Sequence, residues 1–355
     1  MLAVAMVAAV LGGRMEAEAC TGIALKAKDG SRVVGRTMEW GAFRMPCQLL
    51  VVPRGYTRRA LTPEGMNGME LKARYGYAGI AMVEGNFFTE AMNEKGVVIE
   101  LFYFPGYGEH MKYQPERRER TVSNAQFADW VLGNFATVSE MEKHLDEIDY
   151  ITLSTGNEAA HFRITDASGR DVVVEYYQNH WHVWENTVGV ITNSPSFDWH
   201  VTNLNNYMNV APGGIEPRKL NEEVTLRAFG VGSAAHGLPG DLTPPSRFVR
   251  AAFYVNTAKK LEDGWSTVKQ VFQILNNFDI PIGMEFGQDE MPDLMSATQW
   301  TSAIDISARK LYYKTEWNSS IRCVDFNEIN FGKAKFQALP LDKVEDFPVE
   351  KVKIK

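Results

Sequence analysis

The sequence predicts an α+β protein, a layered domain built largely from antiparallel sheets. Three observations carry this reading. Alternating runs joined by an Asp-Gly pair open the segment after residue 19, helical patterns follow in mid-chain, and further strand runs lie on both sides of a second helical pair. The order strands, helices, strands, helices, strands fits stacked antiparallel layers better than a parallel βαβ array.

Taken in order, the chain starts with a short apolar run, residues 2–11, and then Ala17-Glu18-Ala19, which has the small-x-small form of a secretory cleavage site. Residues 1–19 are expected to be a signal peptide, and 20–355 one domain. No Lys or Arg precedes the apolar run, so the natural start is expected slightly upstream. Residues 21–28 and 32–38 read as a hairpin about Asp29-Gly30, which brings Cys20 beside the stretch from Arg36 to Trp40. Strands are expected at 48–52, 77–83 and 97–103. A helix is expected over 122–135, and a second from the capping pattern Thr137-x-x-Glu140 through 148. Strands return at 161–165, 172–177, 182–185 and 188–192. Helices over 247–258 and 266–278 and strands at 298–306, 310–315 and 321–325 complete the pattern.

Of the 355 residues, 45% are hydrophobic and 11% aromatic, enough for an extensive core. Net charge is −7 with the two signs interspersed, so the basic stripe of a nucleic-acid binder is missing. Arg117-Arg118-Glu119-Arg120 is broken by an acid and reads as a solvated loop. Beyond the leader no apolar run approaches a membrane span, so stable membrane insertion is not expected. Cys47 and Cys323 either pair in an oxidising compartment or stay as unpaired, buried, strand-borne thiols. His180 and His182 share one strand face without a third ligand, and neither a metal nor a cofactor is implied.

Cleavage after Ala19 would make Cys20 the first residue. A thiol nucleophile and a free α-amine to act as its base would then sit on one residue, the arrangement of N-terminal nucleophile hydrolases. The segments from Cys20 to Leu25 and Gly35 to Trp40, Ala91 to Gly96, Thr192 to His200, and Gly237 to Phe248 together resemble the choloylglycine hydrolase and penicillin V acylase family. These are amidases acting on linear C–N bonds, and the matching motifs run in order along the whole chain after residue 19.

The resemblance implies a four-layer αββα sandwich with Cys20 as nucleophile. It puts Arg36 beside the thiol, where a guanidinium favours thiolate. The Asn193 side chain would serve the oxyanion, and Arg247 would stabilise charge at the nucleophile. Glu39 stands where the family usually has Asp, so its carboxylate must be re-aimed. At Tyr103 many bile-salt hydrolases carry Asn and penicillin V acylases carry Tyr, which leans the reading towards the acylases. Trp40 would form an aromatic wall for an apolar acyl group. Residues 205–230 match the length of the family's tetramer-forming excursion, and a homotetramer is expected.

The implied activity is that of an exported, periplasmic or secreted amidase hydrolysing small N-acyl amides with an apolar acyl part. Penicillin V-like amides are its first reading and conjugated bile salts the alternative. A different class is an exported binding lipoprotein lipidated at Cys20. Ala17 stands where that signal prefers Leu, and residues from Thr21 onward read as a strand rather than a flexible tether.

Overall fold

The computed structural model describes residues 19–153, 159–286 and 291–354, so the expected leader lies outside the described residues except for Ala19. Regular structure begins at Cys20. Strands β1 (Cys20–Lys26) and β2 (Arg32–Glu39) pair in one unbroken register from Cys20↔Met38 to Lys26↔Arg32. Gly30 takes φ +94° in the turn, a conformation cheap only for glycine, and so the Asp29-Gly30 pair pins the hairpin.

Next come β3 (Cys47–Val52), the short pair β4 (Thr57–Arg59) and β5 (Glu70–Lys72), β6 (Tyr77–Met82), β7 (Phe87–Asn93) and β8 (Val98–Tyr103). β9 (Thr121–Ser123), the helices α1 (Phe127–Asn134) and α2 (Val138–Glu142), and β10 (Asp149–Ile151) follow. β11 (Ala160–Thr165), β12 (Asp171–Tyr177), β13 (His180–Glu185) and β14 (Val190–Ile191) lead to α3 (Phe197–Asn203) and the small hairpin β15 (Arg218–Lys219) and β16 (Thr225–Leu226). The chain closes with α4 (Pro244–Thr257), α5 (Gly264–Leu275), β17 (Thr298–Asp305), β18 (Lys310–Thr315), β19 (Arg322–Asp325) and β20 (Gln337–Pro340).

Two antiparallel sheets form the body: β14-β1-β2-β17-β18-β19 and β13-β12-β11-β8-β7-β6-β3-β20. The period-2 alternation of a strand divides their faces. On β3, Leu49 and Val51 join the core between the sheets, whereas Leu50 and Val52 pack with Phe127, Trp130 and Val131 of α1. Val268, Val271 and Leu275 of α5 and Phe248 of α4 cover the six-stranded sheet. α5 lies so close that a Cβ on Gly35 would sit 2.5 Å from Val271 Cγ1. The result is the αββα layering expected from the resemblance.

The space between the sheets is crossed by buried polar side chains. Arg36 on β2 donates to Thr89 O (3.1 Å) and Leu101 O of the facing sheet. Arg163 on β11 donates back to Ile23 O (2.9 Å) and lies 2.8 Å from Glu100. Glu90 on β7 accepts from Ser302 Oγ (2.6 Å) and Trp300 Nε1 (3.1 Å) on β17. Each bond satisfies a group that would otherwise be desolvated without a partner.

Several sequence expectations are corrected. The helix expected from 122 starts at Phe127, because residues 121–123 pair with β10 instead. Thr137 does cap α2, accepting from Glu140 N at 3.1 Å, while Glu140 Oε2 accepts from Ala136 N at 2.9 Å; yet α2 ends at Glu142 rather than 148. Cys47 and Cys323 are free and lie in different sheets; Cys47 is largely buried, but Cys323 on β19 is exposed. Residues 117–120 form an exposed 3-10 turn whose charges are partly paired, Arg117 with Asp149 and Glu119 with Arg59. Among the described residues no helix is long and apolar enough to cross a membrane.

Candidate active site

Cys20 begins β1 at the end of the sandwich and is 4% exposed. Cys20 and Gly22 on β1, and Arg36 and Met38 on β2, share the face turned to the other sheet. Cys20 Sγ lies 3.7 Å from Met38 Sδ, and Arg36 Nη2 reaches the same sulfur at 3.6 Å. The Arg36 guanidinium stacks over Phe102, 4.5 Å from the ring centroid. Among the described residues no carboxylate forms an ion pair with Arg36, so its charge is held by carbonyl oxygens and a ring. A surface reading of this residue is excluded by its complete burial.

Asn193 follows β14. Its Oδ1 accepts from Cys20 N at 2.8 Å and from Arg247 Nη2 at 2.8 Å, and its Nδ2 donates to Tyr103 O at 2.9 Å. Those partners fix which end of the amide faces Cys20. Arg247, on the first turn of α4, is wholly buried. It donates to Leu242 O (2.8 Å), Cys20 O (2.5 Å), Thr21 Oγ1 (3.0 Å) and Asn193 Oδ1. Five of the seven residues singled out in the sequence thus lie together: Cys20, Arg36, Asn193 and Arg247 by side-chain or main-chain contact, and Glu39 at the end of β2. Tyr103 joins through its backbone carbonyl. Trp40 lies at the edge, half-buried, with N–H to Ala297 O at 2.7 Å and its ring against Phe43.

Burial pushes the Cys20 thiol up, and Arg36 opposes this; Glu39 pushes it further up, while the Glu39 backbone N–H and Arg247 pull it down. Burial also lifts the Glu39 carboxyl to about 8 against the pull of Arg247 and Arg36. Thr298 Oγ1 donates to its Oε1 at 3.3 Å, but among the described residues Oε2 has no hydrogen-bond partner. Ala19, still bonded to Cys20, is 6% exposed and packs among Ile280, Ile282 and Ala297. In this form the Cys20 nitrogen is an amide.

Sequence reasoning missed Glu285, a half-buried carboxyl lifted by burial to about 7 and opposed by Arg247. It stands beside Gly41, where a Cβ would come within 2.2 Å of Oε2. It also missed the buried group of His161, Glu175 and His200 behind Asn193. His200 closes the motif that begins at Thr192, and His161 opens an alternating strand, but neither pattern says which face lies inside.

The fold and this end-of-sheet cysteine define an N-terminal nucleophile hydrolase fold. Residues 20–342 match the model of "Linear amide C-N hydrolases, choloylglycine hydrolase family", and the chain belongs to that family. It is 33% identical over 330 residues to a bile salt hydrolase/transferase of Clostridium perfringens, covering 91% of this chain and 97% of the relative. A penicillin V acylase of Pectobacterium atrosepticum is 26% identical over 333 residues, covering 87% of this chain and 81% of the relative. The solved structure of a conjugated bile acid hydrolase from Clostridium perfringens superposes with a TM-score of 0.82 at 30% identity, covering 94% of this chain and all of that one. Two variants of that enzyme have been solved, one with a cysteine replaced by alanine and one with an arginine replaced by leucine. Their substituted positions are 16 residues apart, the interval that separates Cys20 from Arg36.

Proposed function

We propose that this hydrolase cleaves the amide bond of conjugated bile salts, with Cys20 as an N-terminal nucleophile freed by removal of residues 1–19. The observation that carries the mechanism is the bond from Cys20 N to Asn193 Oδ1, with Arg247 on the same oxygen. Freed of Ala19, the nitrogen becomes an amine that Asn193 holds by one proton, leaving its lone pair to take the proton of Sγ. The fields of Arg36 and Arg247 favour the thiolate.

Attack of Sγ on the amide carbon forms the C–S bond. The oxygen takes up negative charge facing the second N–H of Asn193 Nδ2, the first being engaged by Tyr103 O. Collapse breaks the C–N bond, and the α-ammonium gives its proton to the leaving amine. Water then attacks the thioester, the amine taking its proton, and releases the acid and the thiol.

For the substrate, Tyr103 had favoured penicillin V acylases. The overall likeness favours bile salt hydrolases, at 33% identity against 26%, and we follow it. The relative's name also includes transferase, so transfer of the acyl group to another amine belongs to the same reading. The test is release of glycine and taurine from glycocholate and taurocholate beside hydrolysis of penicillin V. Dominant turnover of penicillin V would overturn the bile-salt reading.

Export is part of this proposal, because Ala19 buried against Ile280 and Ala297 blocks the nitrogen that the mechanism needs. Intact mass of the isolated protein should show Cys20 as a free first residue. A diacylglycerol increment would instead favour the lipoprotein, a reading to which membership in a hydrolase family adds nothing. A homotetramer is supported by the excursion after α3, where Met208, Ile215, Leu220, Phe229 and Val231 are all exposed, Phe229 and Val231 completely. Apolar groups collected on one protruding segment favour packing on another copy.

A further inference from the structure

Asn193 stands on a peptide held from behind. The carbonyl oxygen before it, Thr192 O, accepts from His161 Nε2 at 2.9 Å, and its own, Asn193 O, accepts from His200 Nε2 at 2.9 Å. Both imidazoles are 1% exposed. His161 stacks on Phe104 with centroids 4.5 Å apart and meets Phe102 edge-on; His200 stacks on Phe248 at 4.6 Å. Phe102 carries the Arg36 guanidinium, so ring packing also links this bracket to the thiol's cation.

One side chain governs both brackets. Glu175 on β12 is wholly buried, and its Oε1 accepts from His161 Nδ1 (2.9 Å) and from Phe197 N (2.9 Å), the first residue of α3, which carries His200. Its Oε2 accepts from Trp184 Nε1 at 3.0 Å. Donor counting fixes the proton arrangement. A carbonyl only accepts, so Nε2 of each histidine carries hydrogen. Two N–H groups already point at the Glu175 carboxylate, and the third contact, from His161 Nδ1, closes only with one proton held between ring and carboxylate. Neither histidine nor Glu175 contacts Cys20, Arg36 or Arg247 by hydrogen bond, so the mechanism above does not use them.

We propose that Glu175 is a positioning residue for the Asn193 amide, acting through His161 on the Thr192 carbonyl and through α3 and His200 on the Asn193 carbonyl. This rests on the reading of Asn193 as the group that holds the amine and the oxyanion. An oxyanion donor must meet the developing charge within a few tenths of an ångström, and a misplacement of about 1 Å costs about 100-fold in rate. Two consecutive carbonyls tied to buried imidazoles give the amide that fixity, and one carboxylate makes the two ties a unit.

The test uses the full chain expressed with its leader, assayed on glycocholate per Cys20 thiol, the latter read by mass spectrometry of the iodoacetamide-alkylated Cys20 peptide because Cys323 is also free and exposed. His161→Phe keeps the ring stacking and removes both hydrogen bonds; it should lower kcat about 10–100-fold and leave KM within about 3-fold. The aldehyde analogue of cholate, which adds Sγ to its carbonyl carbon and places its oxygen where the oxyanion forms, should lose affinity by the same factor. Glu175→Gln leaves His161 able to donate from Nε2 as the neutral ring, and should retain more kcat than Glu175→Leu. It carries the same comparison should His161→Phe or Glu175→Leu fail to fold.

Asn193→Ala separates the failures. If it is inactive while His161→Phe and Glu175→Gln both match wild type in kcat per thiol and aldehyde affinity, the positioning role is refuted. So it is if the loss lies only in the fraction of titratable thiol. If Asn193→Ala stays active, the role given to Asn193 falls first and this inference falls with it.

Discussion

Glu39→Gln tests the electrostatics of the site through stability rather than turnover. In the chain with Ala19 attached, burial lifts the Glu39 carboxyl from 4.5 to about 8. Below pH 4.5 the group is protonated in both folded and unfolded chains and costs nothing. As pH rises from 4.5 towards 8 the unfolded carboxyl ionises while the folded one stays protonated, so the stability it allows is lost progressively. The full loss, reached above pH 8, is about 5 kcal/mol at 1.36 kcal/mol per pKa unit. Relaxation and water entry in a real buried site bring the expected value to roughly 2–3 kcal/mol.

Glutamine keeps the shape and cannot ionise. The variant should therefore gain on wild type by that amount between pH 5 and 9, as read from urea unfolding followed by tryptophan fluorescence at fixed protein concentration. Glu90, Asp171 and Glu285 are lifted to about 7, 6 and 7 and titrate in the same window, but they are common to both proteins and cancel in the difference. A difference that stays constant from pH 5 to 9 would refute the argument. In protein beginning at Cys20 the α-ammonium adds a cation near Glu39, and the difference should shrink.

Three further outcomes are expected. Gly22→Ala would put a Cβ 2.6 Å from Phe102 Cζ and 2.8 Å from Ile191 Cγ2, so it should destabilise by about 1–3 kcal/mol in urea unfolding. It should also slow turnover by tilting the ring under Arg36; wild-type stability would show that the two sheets separate more easily than their packing implies. Arg36→Met should move the pH midpoint of alkylation of the Cys20 peptide upward, and an unmoved midpoint would remove Arg36 from thiol activation. Replacing Phe229 and Val231 together by Ser should dissociate the proposed tetramer in sedimentation velocity without changing the monomer's fold, whereas an unchanged sedimentation coefficient would discount the excursion as an interface.

The layers and much of the site were legible from residue 20 onward. The Asp29-Gly30 turn, the alternation of β1 and β2, and the motifs at Asn193 and Arg247 are local signals, and topology turns them into neighbours. Less legible was anything set by which face of a strand lies inside. On β11, His161, Arg163 and Thr165 alternate with Phe162 and Ile164, a pattern that ordinarily puts the polar face in water. Here Phe162 and Ile164 pack in the cluster that includes α1, and the polar face points between the sheets. Arg36 on β2 and Arg247 on the first turn of α4 are likewise wholly buried, although each is a charged side chain. The β7 strand was missed because all of its side chains but Phe87 are buried, leaving no alternation. On the substrate, Tyr103 and the overall likeness point to different members of the family; a single position is a weaker signal than likeness along the whole chain, and Tyr103 meets Asn193 through its backbone carbonyl.

The charge arrangement explains why removal of Ala19 would do more than expose an amine. With the peptide bond intact, two wholly buried guanidinium groups, Arg36 and Arg247, face one carboxyl that burial keeps protonated to about pH 8 and one thiol that burial holds above its ordinary range. Each arginine is held by fixed acceptors: Thr89 O and Leu101 O for one, Leu242 O, Cys20 O and Asn193 Oδ1 for the other. Neither can turn away to relieve the field. An α-ammonium at Cys20 would be a third cation in the same low-dielectric pocket, so both acids that oppose it, Glu39 and the Cys20 thiol, would be driven towards their ionised forms. The Glu39 anion raises the cost of the thiolate, whereas the ammonium lowers it and sits one residue's length from the sulfur. Glu39 fits this balance: it accepts from the Thr298 hydroxyl on β17, where its charge is shared with the scaffold rather than spent wholly against the thiol.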